Sequence, residues 1–279
     1  MEFRTIVDIN DPGFRIEPCE EMLFVGSCFA DNIGARFKEE KFRATVNPFG
    51  VMYNPASILH TVERLAQSEP SKLGSLRTAF FTLGTNHIYR LKETGEIVDN
   101  CQKRPQSLFT EEELTVDECA DNLQRAIDIL RQHHPDVRVV ITVSPIRYRK
   151  YGYHGSQLSK ATLLLAVQRM INNCQLSIVN YQLSYFPAYE IINDELRDYR
   201  FYAEDMLHPS SQAVEYIWQR LSEVYLSDAA KQFVKEWQPL KAALHHKPFN
   251  PESQEYRIFM DKTMLKIAEL QKKYPNFAL

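Results

Sequence analysis

Short uninterrupted apolar runs alternate along the chain with longer stretches of helical period. Met22 to Val25 is the first run. Gly26-Ser27-Cys28 closes it, and Asp31 opens a segment to Phe42 in which Ile33, Ala35 and Phe37 suit a helix. Two Asn-Pro steps make Thr45 to Pro55 loop-like, and Ala56 to Gln67 then reads as helical. Ala79 to Leu83 is a second buried strand, followed by Gly84-Thr85-Asn86, and Ile88 to Val98 fits a small hairpin or extended excursion. Val116, Cys119, Ala120, Leu123, Ile127 and Leu130 recur at helical spacing ahead of a β-branched strand, Val137 to Val143. Leu163, Ala166, Val167, Met170 and Ile171 mark the next helix, and Leu176 to Val179 a further short strand.

A strand buried on both faces needs no polar alternation, so this order predicts a three-layer α/β/α sandwich around a central, mostly parallel sheet. Ser211 to Tyr225 and Glu252 to Lys273 are helical beyond it. The expected division is an α/β domain over residues 1–227 and a helical extension over 228–279 packed on the same domain. That extension could cover the site or mediate association, and the sequence leaves the oligomeric state open.

Composition narrows the function. With 279 residues, 44% hydrophobic and 25% charged, the chain can bury a full core without disulfide or metal staples. Lys and Arg total 33 against 36 Asp and Glu, and no run of five like charges occurs, so no nucleic-acid partner is indicated. Five cysteines, odd in number and without a C-x-x-C pair, suggest neither a zinc ribbon nor a disulfide framework. Arg4, Asp8, Asp11 and Pro12 interrupt the apolar stretch that a secretory signal needs, and no stretch of eighteen apolar residues follows. The expectation is a soluble cytoplasmic protein without a membrane partner.

Ligands of open parallel sheets bind beyond the carboxyl ends of the strands, so the residues that follow predicted strands carry the candidate chemistry. Gly26-Ser27 presents a hydroxyl at the start of a helix, either as a nucleophile or simply as a Gly-Ser turn. In Gly84-Thr85-Asn86-His87 the Asn86 amide suits an oxyanion donor, with a satisfied loop residue as the plainer reading. Asp205 stands three residues ahead of His208. That spacing lets the carboxylate accept from Nδ1 and leave Nε2 as a base, although a surface pair with Ser210 or Ser211 capping the next helix reads equally well.

Together these sets resemble the SGNH/GDSL serine hydrolase superfamily, and Gly26-Ser27-Cys28-Phe29-Ala30 spells the signature of its GSCFA-domain branch. The resemblance runs through Asn47-Pro48-Phe49-Gly50 with Asn54-Pro55, Gly84-Thr85-Asn86, Ser144-Pro145-Ile146-Arg147, Ser159-Lys160-Ala161 and the Asp205 to His208 block. It implies a flavodoxin-like sheet, a nucleophilic Ser27, His208 as its base and Asp205 orienting that base. It also implies an oxyanion hole of the Ser27 N–H, the Gly50 N–H and the Asn86 side chain. The function implied is ester hydrolysis through an acyl-enzyme, with an O-acyl carbohydrate or other small-molecule ester as substrate and no cofactor. Acyl transfer by the same residues, or a non-catalytic carbohydrate- or partner-binding relative, are the alternatives. Two departures stand out: Ser27 follows Gly26 directly where the superfamily reads Gly-Asp-Ser, and His87 stands where it reads Asp.

Other residues compete for a role. Cys28 is a rival nucleophile, because thiols at helix N-termini ionise readily. Arg147, in the basic and aromatic segment Arg147 to Tyr151, can grip a carboxylate or phosphate at two points, and His87 is a second substrate-binding candidate. The pairs His133-His134 and His245-His246 lack metal-ligand spacing, so no metal is expected.

Overall fold

The structure is a computed structural model that describes residues 3–99, 101, 104–176, 182–277 and 279. From β1 (Glu21–Gly26) the chain enters α1 (Cys28–Glu39), returns through β2 (Arg43–Val46), and passes α2 (Pro55–Ser68) and α3 (Pro70–Ser75) to β3 (Thr78–Leu83). An excursion of β4 (His87–Leu91), β5 (Ile97–Val98) and β6 (Phe109–Glu113) precedes α4 (Val116–His133), β7 (Arg138–Val143), α5 (Gly152–Leu176) and β8 (Leu183–Tyr185). A short α6 (Ala188–Glu190) continues as a π-helical turn, Ile191–Leu196, before α7 (Ser211–Tyr225), α8 (Asp228–His245) and α9 (Gln254–Lys273).

The helices start where their caps are. Ser27 caps α1, Asn54 caps α2 with Pro55 at the first position, and Thr115 with Glu118 forms a capping box on α4. Ser210, Ser227 and Ser253 cap α7, α8 and α9.

The main sheet has the order β2-β1-β3-β7-β8, with every pair parallel. Its central strands serve two cores with alternate side chains, as the pleat requires. Leu23, Val25, Ala79, Phe81, Val139 and Ile141 pack with Ile58, Leu123 and Leu163 of α2, α4 and α5. Met22, Phe24, Phe80 and Val140 pack on the other face with Phe37 of α1 and Ile217 and Leu221 of α7. This is the expected three-layer α/β/α sandwich. The chain leaves β1 for β2 on one side and crosses back to β3 on the other, so the strand order reverses between β1 and β3, whose carboxyl ends are where sheets of this kind bind ligands.

Several boundaries differ from expectation. α1 begins at Cys28 because Ser27 supplies the cap, and β2 is an edge strand whose half-buried RATV sequence lacks an apolar run. The excursion is a three-stranded antiparallel sheet, β5-β4-β6, whose third strand FTEEE has one buried residue and so left no sequence signal. Leu176 closes α5, and the rest of the expected Leu176 to Val179 strand lies outside the described residues; the strand observed is β8. Within the expected helical extension, α8 contains Pro239, which interrupts its helical pattern in the sequence.

A third apolar cluster joins Phe233, Trp237 and Leu240 of α8 to Ile267 and Leu270 of α9 and to Cys19. The Trp237 indole N–H donates to Glu39 O at 2.8 Å, and Lys241 Nζ reaches Glu39 and Glu40 at 3.0 and 2.9 Å, fixing α8 to the end of α1. No helix among the described residues is long and apolar enough to cross a membrane.

Candidate active site

Ser27 is the single residue between β1 and α1, and its turn depends on Gly26. Gly26 has φ +152°, and a Cβ there would lie 2.2 Å from Thr82 O, so only glycine lets β1 pair with β3 to its last residue. Asn47 braces the turn: its Oδ1 accepts the Gly26 N–H at 2.9 Å and its Nδ2 donates to Asp31 Oδ1 at 2.6 Å. The Ser27 side chain is fully buried, and its Oγ accepts the Phe29 N–H at 3.3 Å.

The turn after β3 meets Ser27 at Gly84. A Cβ on Gly84 would stand 2.6 Å from Tyr148 Oη, 2.9 Å from Tyr53 O and 3.4 Å from Ser27 Cβ. Glycine therefore admits Ser27, Tyr53 and Tyr148 around one point, where Tyr53 O accepts the N–H groups of both Gly84 and Thr85 at 2.8 Å. The Tyr148 hydroxyl is buried without a hydrogen-bond partner, and burial keeps it protonated by pushing its pKa well above the ordinary tyrosine value. Asn86 donates through Nδ2 to Leu114 O at 2.8 Å, which leaves the second amide hydrogen unspent.

Lys160 and Ser159 of α5 hold this turn from below. Lys160 is wholly buried, and its Nζ donates to Gly84 O at 2.6 Å and Ser144 O at 2.8 Å, linking the ends of β3 and β7. Burial pushes its pKa down to about 7. Ser159 Oγ accepts the Asn86 N–H at 3.0 Å and bonds Thr85 Oγ1 at 3.0 Å. α5 starts at Gly152, so Ser159 lies inside the helix and braces the turn rather than capping it.

Asp205 and His208 form a hydrogen-bonded pair, Oδ2 to Nδ1 at 2.5 Å. Asp205 Oδ1 also accepts the N–H groups of Leu207 and His208 at 2.9 and 3.0 Å. The His208 N–H, the Leu207 N–H and then the imidazole hold the Asp205 carboxyl down to about 2. The pair's loop is tied to the segment after β7, where the Arg147 N–H donates to Leu207 O and its guanidinium to Met206 O, each at 3.1 Å. β7 lies two strand spacings, about 10 Å, from β1. No hydrogen bond joins Ser27 Oγ to His208 among the described residues.

Three expected site groups have other partners in this structure. The Gly50 N–H donates to Asn47 O at 2.9 Å inside an exposed turn, and the Ser27 N–H donates to Thr82 O at 3.0 Å, so neither is free for an oxyanion in this conformation. His87 is packed rather than offered to a ligand: it stacks on Tyr151 with ring centroids 3.6 Å apart, between Glu111 and Glu113. Its burial lowers the imidazole pKa against the pull of those two carboxylates. Cys28 Sγ lies 3.9 Å from Tyr53 Oη, half-buried at the same turn.

Sequence reasoning gave no role to Lys160, Asn47 or Tyr148. Lys160 did leave a signal, since a cation three and seven residues ahead of buried Leu163 and Val167 sits on an apolar stripe. Tyr148 left none, because its burial depends on Gly84 far along the chain.

A model of the GSCFA family matches residues 21–76 and 68–221, and one of the GSCFA domain protein, C-terminal domain, matches residues 237–279. No curated protein matches the chain significantly. Among solved structures, a carbohydrate esterase family 3 from Talaromyces cellulolyticus is 11% identical, with 77% of this chain and 98% of that one covered and a TM-score of 0.42. A GDSL-like lipase from Bacteroides thetaiotaomicron is 12% identical, with 77% and 87% covered and a TM-score of 0.44.

Proposed function

The chain belongs to the GSCFA family, and on that premise we propose that it is a serine hydrolase that cleaves an O-acyl ester through an acyl-enzyme on Ser27. The observation that carries this reading is the Asp205–His208 pair, whose 2.5 Å bond through Nδ1 leaves Nε2 unencumbered as a base. His208 Nε2 takes the Ser27 hydroxyl proton as Oγ bonds to the ester carbonyl carbon, then passes that proton to the departing alcohol oxygen. Water repeats the sequence on the acyl-Ser27 ester and releases the acid. Charge on the tetrahedral oxygen is met by the unspent Asn86 amide hydrogen and the unpartnered Tyr148 hydroxyl, both buried donors at the Gly84 turn. Lys160 and Ser159 position that turn.

A fluorophosphonate probe tests the reading. Labelling of the wild type at Ser27, with none in Ser27→Ala and little in His208→Ala, is expected; an unlabelled but folded wild type refutes it. A second reading, a binding protein without turnover, draws on the full burial of Ser27 and its lack of a bond to His208. Substrate-free active sites often tighten only in the reacting complex, so the labelling experiment separates the two.

A further inference from the structure

We propose that the ester cleaved at this site carries a carboxylate or phosphate group, which docks between Arg147 and Arg197 in a small cavity beside the Asp205–His208 loop. The inference rests on the hydrolase reading for the reaction and on separate residues for the specificity. The cavity measures about 260 Å³ and is lined by Arg147, Arg197, Asn193, Gln157, Tyr199 and Tyr202, with Ile192 and Asp198 completing the wall. Its size fits one sugar ring or an aryl group rather than a long acyl chain or a polymer.

The cavity is built against the catalytic loop. Tyr202 bridges to Pro209, the Ala203 N–H donates to His208 O at 2.7 Å, and the Ser210 N–H donates to Phe201 O at 2.8 Å. The wall that carries Tyr199 and Tyr202 therefore runs alongside the loop that carries His208. Arg147 joins the two, since its backbone and guanidinium hold Leu207 and Met206 while its side chain lies over Tyr153 at 4.2 Å and Tyr202 at 5.4 Å.

Its charge is unbalanced. Among the described residues neither Arg147 nor Arg197 has a carboxylate within salt-bridge distance, and the one acid in the lining, Asp198, faces the Arg200 guanidinium at 3.7 Å and caps the Arg200 N–H at 2.9 Å. Arg147 spends one donor on a carbonyl, which leaves the rest of its planar fork for a two-point contact. Arg197 is exposed and holds a left-handed backbone, φ +43°, at the end of the π-helical turn, where its N–H is fixed to Ile192 O at 3.0 Å. A non-glycine residue in that region is uncommon, and π-turns gather at functional sites, so the backbone sets where the Arg197 side chain leaves the chain at the cavity rim. Two guanidinium groups without a carboxylate partner, with tyrosine rings beside them, form a receptor for an oxyanion on a ring-bearing substrate.

The test compares three acetate esters: 4-nitrophenyl acetate, 4-acetoxybenzoate and 4-acetoxyphenyl phosphate. The wild type is expected to favour the charged esters over the neutral one by at least about tenfold in kcat/KM. Arg197→Gln or Arg147→Gln is expected to cut that charged-to-neutral ratio about 10- to 100-fold, the range of a lost charge-assisted bond. Arg197→Lys should keep part of it and Arg197→Glu should invert it. The benzoate and phosphate arms show which anion fits. A wild-type ratio near one, or a ratio that survives Arg197→Glu, overturns the proposal. Equilibrium binding of benzoate and phenyl phosphate, followed by NMR, separates this outcome from failure of the hydrolase reading. Binding that weakens in Arg197→Gln upholds the cavity even in a protein that no fluorophosphonate labels, and absence of binding by either anion overturns it.

Discussion

Replacing Lys160 by Met keeps the bulk of the side chain and removes its nitrogen, so two opposed effects change at once. Gly84 O and Ser144 O lose donors at 2.6 and 2.8 Å, and an unsatisfied buried acceptor costs about 1–3 kcal/mol, or roughly 2–6 kcal/mol for the pair. Against this, the wild type carries the cost of burying an ammonium. Its fall from 10.5 to about 7 corresponds to about 5 kcal/mol disfavouring the charged form at low pH. The folded pKa is depressed, so between about 7 and 10.5 the unfolded chain binds more protons and stability rises with pH, by up to about 1.4 kcal/mol per unit. Below about pH 7 both states are protonated and the penalty is fully present. Both carbonyls can still accept from a neutral amine, which has two N–H groups, so the links between β3 and β7 persist as the proton leaves. Urea unfolding at pH 6 and pH 9 should therefore show Lys160→Met near neutral at pH 6. Relative to wild type it should then lose up to about 3 kcal/mol by pH 9. A stability difference that stays constant between those pH values refutes the argument. So does a Lys160→Met protein more stable than wild type at pH 9, because it would mean that the carbonyl bonds contribute nothing.

Gly84→Ala places a methyl group against Tyr148 Oη and Tyr53 O, and Tyr53 O is backbone that cannot yield cheaply. A loss of about 1–3 kcal/mol in chemical unfolding and slower fluorophosphonate labelling are expected; unchanged stability would show that the turn has room the geometry denies. Asp205 stays ionised down to about pH 2, and its carboxylate contribution is lost only as pH falls through that value. Asp205→Asn should thus depress labelling throughout pH 5 to 8, by a factor on the order of 10³–10⁴ if it orients the base; labelling at the wild-type rate anywhere in that range would remove Asp205 from the site.

The parts of the fold visible in the sequence are those where one segment's own pattern decides its fate. β3 and β7 read as unbroken apolar runs because each is buried on both faces, by Phe81 and Ile141 toward one core and Phe80 and Val140 toward the other. β6 was invisible because a single buried residue, Phe109, and pairing with β4 place a strand of glutamates there. α8 was hidden by Pro239, which packing of Trp237 and Leu240 overrides. At the site, the Asp205–His208 pair was legible because three residues of spacing suffice to close it. The roles of Gly50 and of the Ser27 N–H were not, because which carbonyl claims an N–H is settled by strand register and turn geometry. The packing of His87 was hidden for a similar reason: Tyr151, which covers it, is more than sixty residues away.

Ser27 has two descriptions that use different parts of one hydroxyl. As the cap of α1 it accepts the Phe29 N–H through a lone pair, and this bond is long at 3.3 Å. As a nucleophile it must donate its hydrogen to a base, and capping leaves that hydrogen unspent. The cap also restricts the Oγ rotamer to the mouth of the β1–α1 turn, where the first-turn N–H groups and the helix dipole favour negative charge on the attacking oxygen. A cap alone would explain a serine here equally with threonine, aspartate or asparagine. It does not account for Asn47, which braces this turn, or for Lys160 and Ser159, which hold the adjoining turn at Gly84 and add nothing to capping. On the hydrolase proposal, a reacting carbonyl that must be met by fixed donors supplies the reason for holding the Gly84 turn against Ser27. On the proposed mechanism, an ester bound beyond β1 and β3 must bring His208 Nε2 within hydrogen-bond reach of Ser27 Oγ. The cavity lined by Arg147 and Arg197 adjoins the loop that carries His208, so under the same proposal an anion bound there bears on the position of the base as well as on affinity.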